Sequence, residues 1–189
     1  EACWLRQQFI DNKISSDLLS YSFAPESPQE WTTNPNEWLS SIDIEKVMRQ
    51  YEKTYSNFTF IGPSPIDFDK KKLFGQCVWT ELCNFNLKEY IDKGKNKIGI
   101  VFNTDPHYKE GSHWIALFID IKKKFIYFFD SNGNYVPSRI NKFVKRVQKQ
   151  AKFLNIPFKF EENYPRIHQD QDTECGIYVL YFIIKLLQG

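Results

Sequence analysis

His113-Trp114-Ile115-Ala116-Leu117-Phe118-Ile119-Asp120-Ile121-Lys122-Lys123-Lys124-Phe125-Ile126-Tyr127-Phe128-Phe129-Asp130-Ser131 holds two apolar runs joined by three lysines. From Trp114 to Ile119 it is almost wholly apolar, which predicts a strand covered on both faces. The three lysines predict a tight, charged hairpin into a second strand, Phe125 to Phe129. That strand ends at Asp130-Ser131-Asn132-Gly133, a strong turn signal. A hairpin of this kind brings His113, at the start of one strand, and Asp130, at the end of the next, to the same sheet edge although they are 17 positions apart.

Upstream, Ile98 to Asn103 reads as another strand of the same central sheet. From Trp38 the pattern is helical, with Ile42, Ile44, Val47, Met48 and Tyr51 on one face and Asp43 and Glu45 near the N-terminus. Ile61-Gly62-Pro63-Ser64-Pro65 is expected to break that helix, and a second helical stretch to run from Val78 to Ile91. Downstream, Arg139 to Leu154 predicts an amphipathic helix with Ile140, Phe143, Val144 and Val147 inward. Its Lys142, Lys145, Arg146 and Lys149 form a solvated face. Pro157 to Phe160 suggests a strand, and Cys175-Gly176 opens a final apolar helix, Ile177 to Leu187. Residues 1–36, with a Pro- and Ser-rich stretch from Pro25 to Pro35, are expected to form an arm or small extension, and residues 37–189 a single domain. No internal repeat or low-complexity tract is present.

The 189 residues are 42% hydrophobic and 17% aromatic, enough for one core but short for two. The net charge of +2 arises from 25 basic and 23 acidic residues mixed along the chain, so nucleic acid is not the expected partner. No apolar run approaches the roughly 20 residues that span a bilayer, so no membrane association is expected. Glu1-Ala2-Cys3-Trp4 lacks a signal-peptide pattern, and the absence of an initial Met suggests a processed or partial chain. Four scattered cysteines, Cys3, Cys77, Cys83 and Cys175, are too few for a disulfide framework and fit an intracellular, reducing setting. Cys77 and Cys83 read as ordinary buried thiols, and neither a metal site nor a cofactor is implied.

Thiol hydrolysis requires a thiolate, an imidazole to take and return its proton, a group to hold the imidazole, and donors for an oxyanion. Cys175 is expected at a helix N-terminus, where free N–H groups and the helix dipole favour both thiolate and oxyanion. Gly176 leaves room for close substrate approach. His113 is the candidate base and Asp130 its orienting group. Of the other histidines, His168 lies near Cys175 in sequence but in a polar loop, which makes it the weaker rival. Taken singly, a Cys-Gly before an apolar helix is more often a buried small residue, and a lone His a surface one. Gln169 is first of all a loop glutamine. Joint order and spacing lift the set above these readings.

The segment from His113-Trp114 to Asp130-Ser131 resembles the His-Trp…Asp-Ser signature of the SUMO-protease and adenovirus-protease clan of cysteine peptidases. In that family a Gln stands six residues before the nucleophilic Cys of an acid-Cys-Gly sequence, as Gln169 does before Cys175 in Glu174-Cys175-Gly176. Trp38-Leu39 followed by Ile42-Asp43-Ile44 is similar to the family's lead-in to an early helix, so the resemblance runs from about Trp38 to the C-terminus. It implies an α+β, papain-like-clan (adenain-like) fold, a central mixed sheet flanked by helices. It further implies that Gln169 is an oxyanion-hole donor and that Trp38 and Trp114 wall a narrow tunnel for a Gly-Gly dipeptide. Core packing is the competing reading of both tryptophans. Within the clan, Asn103-Thr104-Asp105, Ile66-Asp67-Phe68 and the extension before Trp38 resemble the polyprotein-processing proteases of large cytoplasmic DNA viruses. Asp130, where those relatives often carry Asn, is closer to the cellular SUMO-protease pattern.

The expected activity is a cysteine endopeptidase hydrolysing peptide or isopeptide bonds after Gly-Gly-like sequences. The expected substrate is a viral polyprotein, with a ubiquitin- or SUMO-type conjugate as the alternative and host cytoplasm or virion as the setting. An acetyltransferase or a non-catalytic Gly-Gly-tail binder on the same fold are lesser alternatives.

Overall fold

The computed structural model describes residue 34 and residues 37–189. The expected arm, its boundary at 36/37 and Cys3 therefore lie outside the described residues.

Helix α1, Ser41–Thr54, starts at a capping box: Asp43 N–H donates to Ser40 Oγ at 3.3 Å while Ser40 N–H donates to Asp43 Oδ2 at 2.9 Å. It buries Ile44, Val47, Met48 and Tyr51, but Ile42, expected on that face, points out and is 62% exposed. The chain then forms β1, Phe58–Pro65, where only a helix break was expected. Two prolines are tolerated there because β1 is an edge strand. At Gly62, φ is +108°, and a Cβ would sit 2.6 Å from the Val101 carbonyl oxygen, so the irregular register between Ile61 and Ser64 needs glycine.

The expected second helix is instead two short ones, α2, Thr80–Cys83, and α3, Leu87–Asp92. They are separated by Asn84-Phe85-Asn86, and Asn86 caps α3 through its side chain. Cys77 and Cys83 are joined as a disulfide, not buried as thiols. The bridge between Lys71 and Cys77 and the turn of α2 fold this short segment back on itself.

Strands β2, Lys97–Asn103, β3, Trp114–Asp120, and β4, Phe125–Phe129, agree closely with expectation. Helix α4, Ser138–Phe153, is followed by β5, Lys159–Glu162, a 3-10 turn at Asp172–Glu174, and α5, Cys175–Gln188. The sheet runs β1-β2-β3-β4-β5, with parallel pairing at both edges and antiparallel pairing around β3.

Period-2 alternation divides the sheet's side chains between two cores. Ile98, Ile100, Ile115, Leu117, Ile126 and Phe128 face α4, and Val101, Ala116 and Phe118 face α1 and α5. Every residue of β3 is buried, which is why its sequence is apolar without alternation. On α4, Lys142, Lys145 and Lys149 are exposed as expected. Arg146 is not part of that solvated face: its guanidinium donates to the carbonyls of Leu82 and Cys83 at the end of α2 and lies over the Phe143 ring.

Candidate active site

At the end of the sheet where β3 begins and β4 ends, His113 and Asp130 meet. The hairpin pairs Ala116 with Phe129, so the residues flanking the two strands become neighbours. His113 Nε2 lies 2.6 Å from Asp130 Oδ1. The carboxylate is 4% exposed and takes two further donors, Asn132 N–H at 2.9 Å and Asn134 Nδ2 at 3.1 Å, which hold it in one orientation. Asn163 braces the same residue from the backbone side: Asp130 N–H donates to its Oδ1 and its Nδ2 donates to the Asp130 carbonyl. Asn163 was not singled out by sequence, since a lone Asn after a strand carries no signal.

With Nε2 committed to Asp130, Nδ1 is the ring nitrogen left for Cys175, whose sulfur engages the imidazole. Burial, the largest influence, pulls the His113 pKa down. Hydrogen bonds and charge from Asp130 and Cys175 outweigh it and raise the pKa to about 9. The imidazole thus holds its proton at neutral pH. Cys175 opens α5, is 1% exposed and is the free cysteine among the described residues. Its N–H belongs to the helix's first turn and has no intrahelical acceptor.

Gln169 is 7% exposed, and its Oε1 accepts from Ser131 Oγ at 2.5 Å. This bond uses the carbonyl end and leaves the amide N–H groups free to donate. The Gln169 loop is tied to the same residue by His168 N–H to the Ser131 carbonyl at 2.8 Å. Glu174 staples the other end of the loop by accepting from the N–H groups of Asp170 and Gln171. Ser131, read in sequence as part of a turn, is therefore what couples Asp130 to Gln169; its place in the Asp-Ser signature was the available clue.

Trp114 is 9% exposed, and its indole N–H donates to the Leu39 carbonyl at 2.9 Å. Trp38, next to Leu39 in the chain, is 46% exposed, so core packing does not explain it. At Gly176 a Cβ would lie 2.7 Å from Leu39 Cβ, so the missing side chain makes room for Leu39. Asn103 organises the loop before His113, its Oδ1 accepting from the N–H groups of Asp105 and Ser112. Asp67 takes the backbone N–H and the ring Nδ1 of His107. His168 lies against Phe129 and Tyr178, away from any such carboxylate pair. Among the described residues no group of three or more His, Cys, Asp or Glu could hold a metal ion, and no helix is long and apolar enough to cross a membrane.

Comparison with known proteins gives a consistent result. A thiol protease of Acanthamoeba polyphaga mimivirus, so named, is 36% identical over 196 residues, covering 100% of this chain and 60% of the relative. A SUMO-1 cysteine protease of African swine fever virus is 28% identical over 154 residues, covering 77% of this chain and 56% of the relative. The chain thus spans under two thirds of the length of these curated relatives. The crystal structure of an African swine fever virus protease superposes with a TM-score of 0.68 at 24% identity, over 98% of this chain and 68% of that one. The C-terminal Ulp1 protease domain in complex with Smt3, the yeast orthologue of SUMO, gives 0.54 at 21% identity, over 93% and 85%. Both confirm the α+β fold. The family description "Ulp1 protease family, C-terminal catalytic domain" matches residues 43–189, and the chain belongs to that family of cysteine proteases.

Proposed function

We propose that this chain is a cysteine endopeptidase that cleaves a viral polyprotein after Gly-Gly-like sequences. The observation that carries the reading is the His113–Asp130 pair at 2.6 Å, poised on a free cysteine at the start of α5. In this reading Cys175 Sγ attacks the scissile carbonyl carbon while His113 holds the thiol proton. The C–N bond breaks as that proton passes to the leaving amine. The same imidazole then deprotonates a water that hydrolyses the thioester, releasing the carboxylate and regenerating the thiol. The Cys175 N–H and the Gln169 amide donate to the oxyanion, and Asp130 orients the imidazole. Trp38 and Trp114 wall a slot too narrow for a Cβ, which selects glycine by exclusion. The substrate is a protein, and the setting is a host cell or a virion; the Cys77–Cys83 disulfide removes the ground for calling it reducing.

A second reading, removal of a SUMO-type modifier, is favoured by the name of the swine fever virus relative and by the Ulp1 complex with Smt3. The two are separated by comparing cleavage of Gly-Gly peptides with cleavage of SUMO and ubiquitin fusions. Faster turnover of peptides supports the polyprotein reading, and a preference of about 10²-fold or more for a folded modifier overturns it.

A further inference from the structure

A cleft of about 380 Å³ lies between α5 and β4, on the β5 side of the catalytic residues. Its floor is aromatic: Phe129 stacks on Phe182 at 4.8 Å, with Tyr127 5.6 Å from the same ring. His168, 5.2 Å from Phe129, forms its upper wall together with Tyr178. Two cations border it, Arg166 and Lys185, and no Asp or Glu lines it. Lys185 Nζ sits 5.5 Å over the Tyr181 ring.

Three features relate this cleft to the reaction. The wall residue His168 directly precedes Gln169, so cleft and oxyanion loop share one clamped segment. Tyr178 follows Cys175 by one helical turn and Phe182 by two, which puts the cleft within about 5–10 Å of the thiol along α5. The groove bordered by Trp114, Asn103 and Pro65 lies on the opposite, β1–β2 side of the site. Groove and cleft thus lie on opposite sides of Cys175, so a chain entering along one can leave along the other.

We propose that this aromatic cleft receives the leaving side of the polypeptide substrate, seating a large aromatic side chain with an acidic residue beside it. At about 3.3 Å per extended residue, the aromatic group would lie about two to three positions after the scissile bond. The ring packs against Phe129 and Phe182, and the carboxylate answers the charge of Arg166 and Lys185. This selectivity rests on the protease reading above, and the test separates the two.

The test uses substrates with one upstream segment ending in Gly-Gly, followed by a coumarin amide, by four alanines, by a segment with Trp then Asp at the second and third positions, or by the same segment with Lys replacing Asp. Cleavage of the coumarin amide reports the protease reading alone. The Trp-Asp substrate should have a kcat/KM at least about tenfold above the tetra-alanine substrate. The double variant Arg166→Glu, Lys185→Glu should invert the preference from Asp to Lys. Equal rates across the wild-type peptides would overturn the proposal without need of any variant, as would an unchanged Asp preference in the charge-swapped protein. Acceleration of coumarin amide cleavage by a separate Trp-Asp peptide, or by a single-stranded oligonucleotide, would assign the cleft to a different ligand and overturn it too. Failure to cleave any substrate, the coumarin amide included, would remove the protease reading and this one with it.

Discussion

His113 carries two opposed influences, and their balance sets its pH behaviour. Burial disfavours the imidazolium, while Asp130 and Cys175 favour it strongly enough to raise the pKa to about 9. If the protonated ring delivers the proton to the leaving amine, kcat/KM should fall on the alkaline side near pH 9. In Asp130→Asn the largest favourable partner loses its charge, so that limb should move to lower pH by about one unit or more. An unmoved limb, measured on the coumarin amide, would separate Asp130 from the imidazole. Stability follows the same sign. A folded pKa above the ordinary His value of about 6.5 gives a contribution fully present below that pH and lost as pH rises toward 9. Gln169 makes a sharper kinetic case. Gln169→Ala should lower kcat by about 10²-fold or more with little change in KM, because an oxyanion donor acts in the transition state. Ser131→Ala should cost less, since it frees the Gln169 amide to rotate without deleting it; a KM effect in either variant would point to ground-state binding instead.

Among the elements, those with a simple apolar pattern were legible in the sequence. The β3–β4 hairpin and helices α4 and α5 follow directly from apolar runs and helical spacing. Strand β1 was not, because prolines mask a strand unless its edge position is known, and the Cys77–Cys83 bond was not, because six positions of spacing fit a loop closure and no metal motif equally well. The candidate site shows the same division. Cys175, His113, Asp130 and Gln169 are recognisable by order and interval, while Asn163 and Ser131 act through contacts 33 and 38 positions away. The packing of Gly176 against Leu39 was likewise invisible in the sequence, because the two are 137 positions apart. Gly176→Ala pushes a methyl to within 2.7 Å of Leu39, so it should destabilise the domain by about 1–3 kcal/mol and disturb Trp114 through the Leu39 carbonyl. Ile177→Ala, at the exposed neighbouring position, should stay within about 0.5 kcal/mol; equal melting temperatures for the two would remove the packing role of the glycine.

The whole molecule is two cores sharing one sheet, and the site lies where both ends of the described chain converge on it. The segment ahead of α1 supplies Leu39 and Trp38, the hairpin supplies His113, Trp114 and Asp130, and α5 supplies Cys175. The two tryptophans are therefore held very differently. Trp114 is buried in the α1–α5 core and bonded to Leu39, whereas Trp38 is nearly half exposed and adds little to packing. Trp114→Ala should cost about 3–5 kcal/mol of stability and abolish activity through the fold as well as the slot. Trp38→Ala should leave the melting temperature within a few degrees of wild type, because exposed substitutions cost about 0.5 kcal/mol or less. Its effect should appear in selectivity: the proposed slot loses a wall, so Gly-Ala and Ala-Gly substrates should gain relative to Gly-Gly by about tenfold. The measurement is the ratio of kcat/KM values for the three substrates in the two proteins. An unchanged ratio would mean that Trp38 does not wall the slot, and that glycine selection rests on Trp114 and the Gln169 loop.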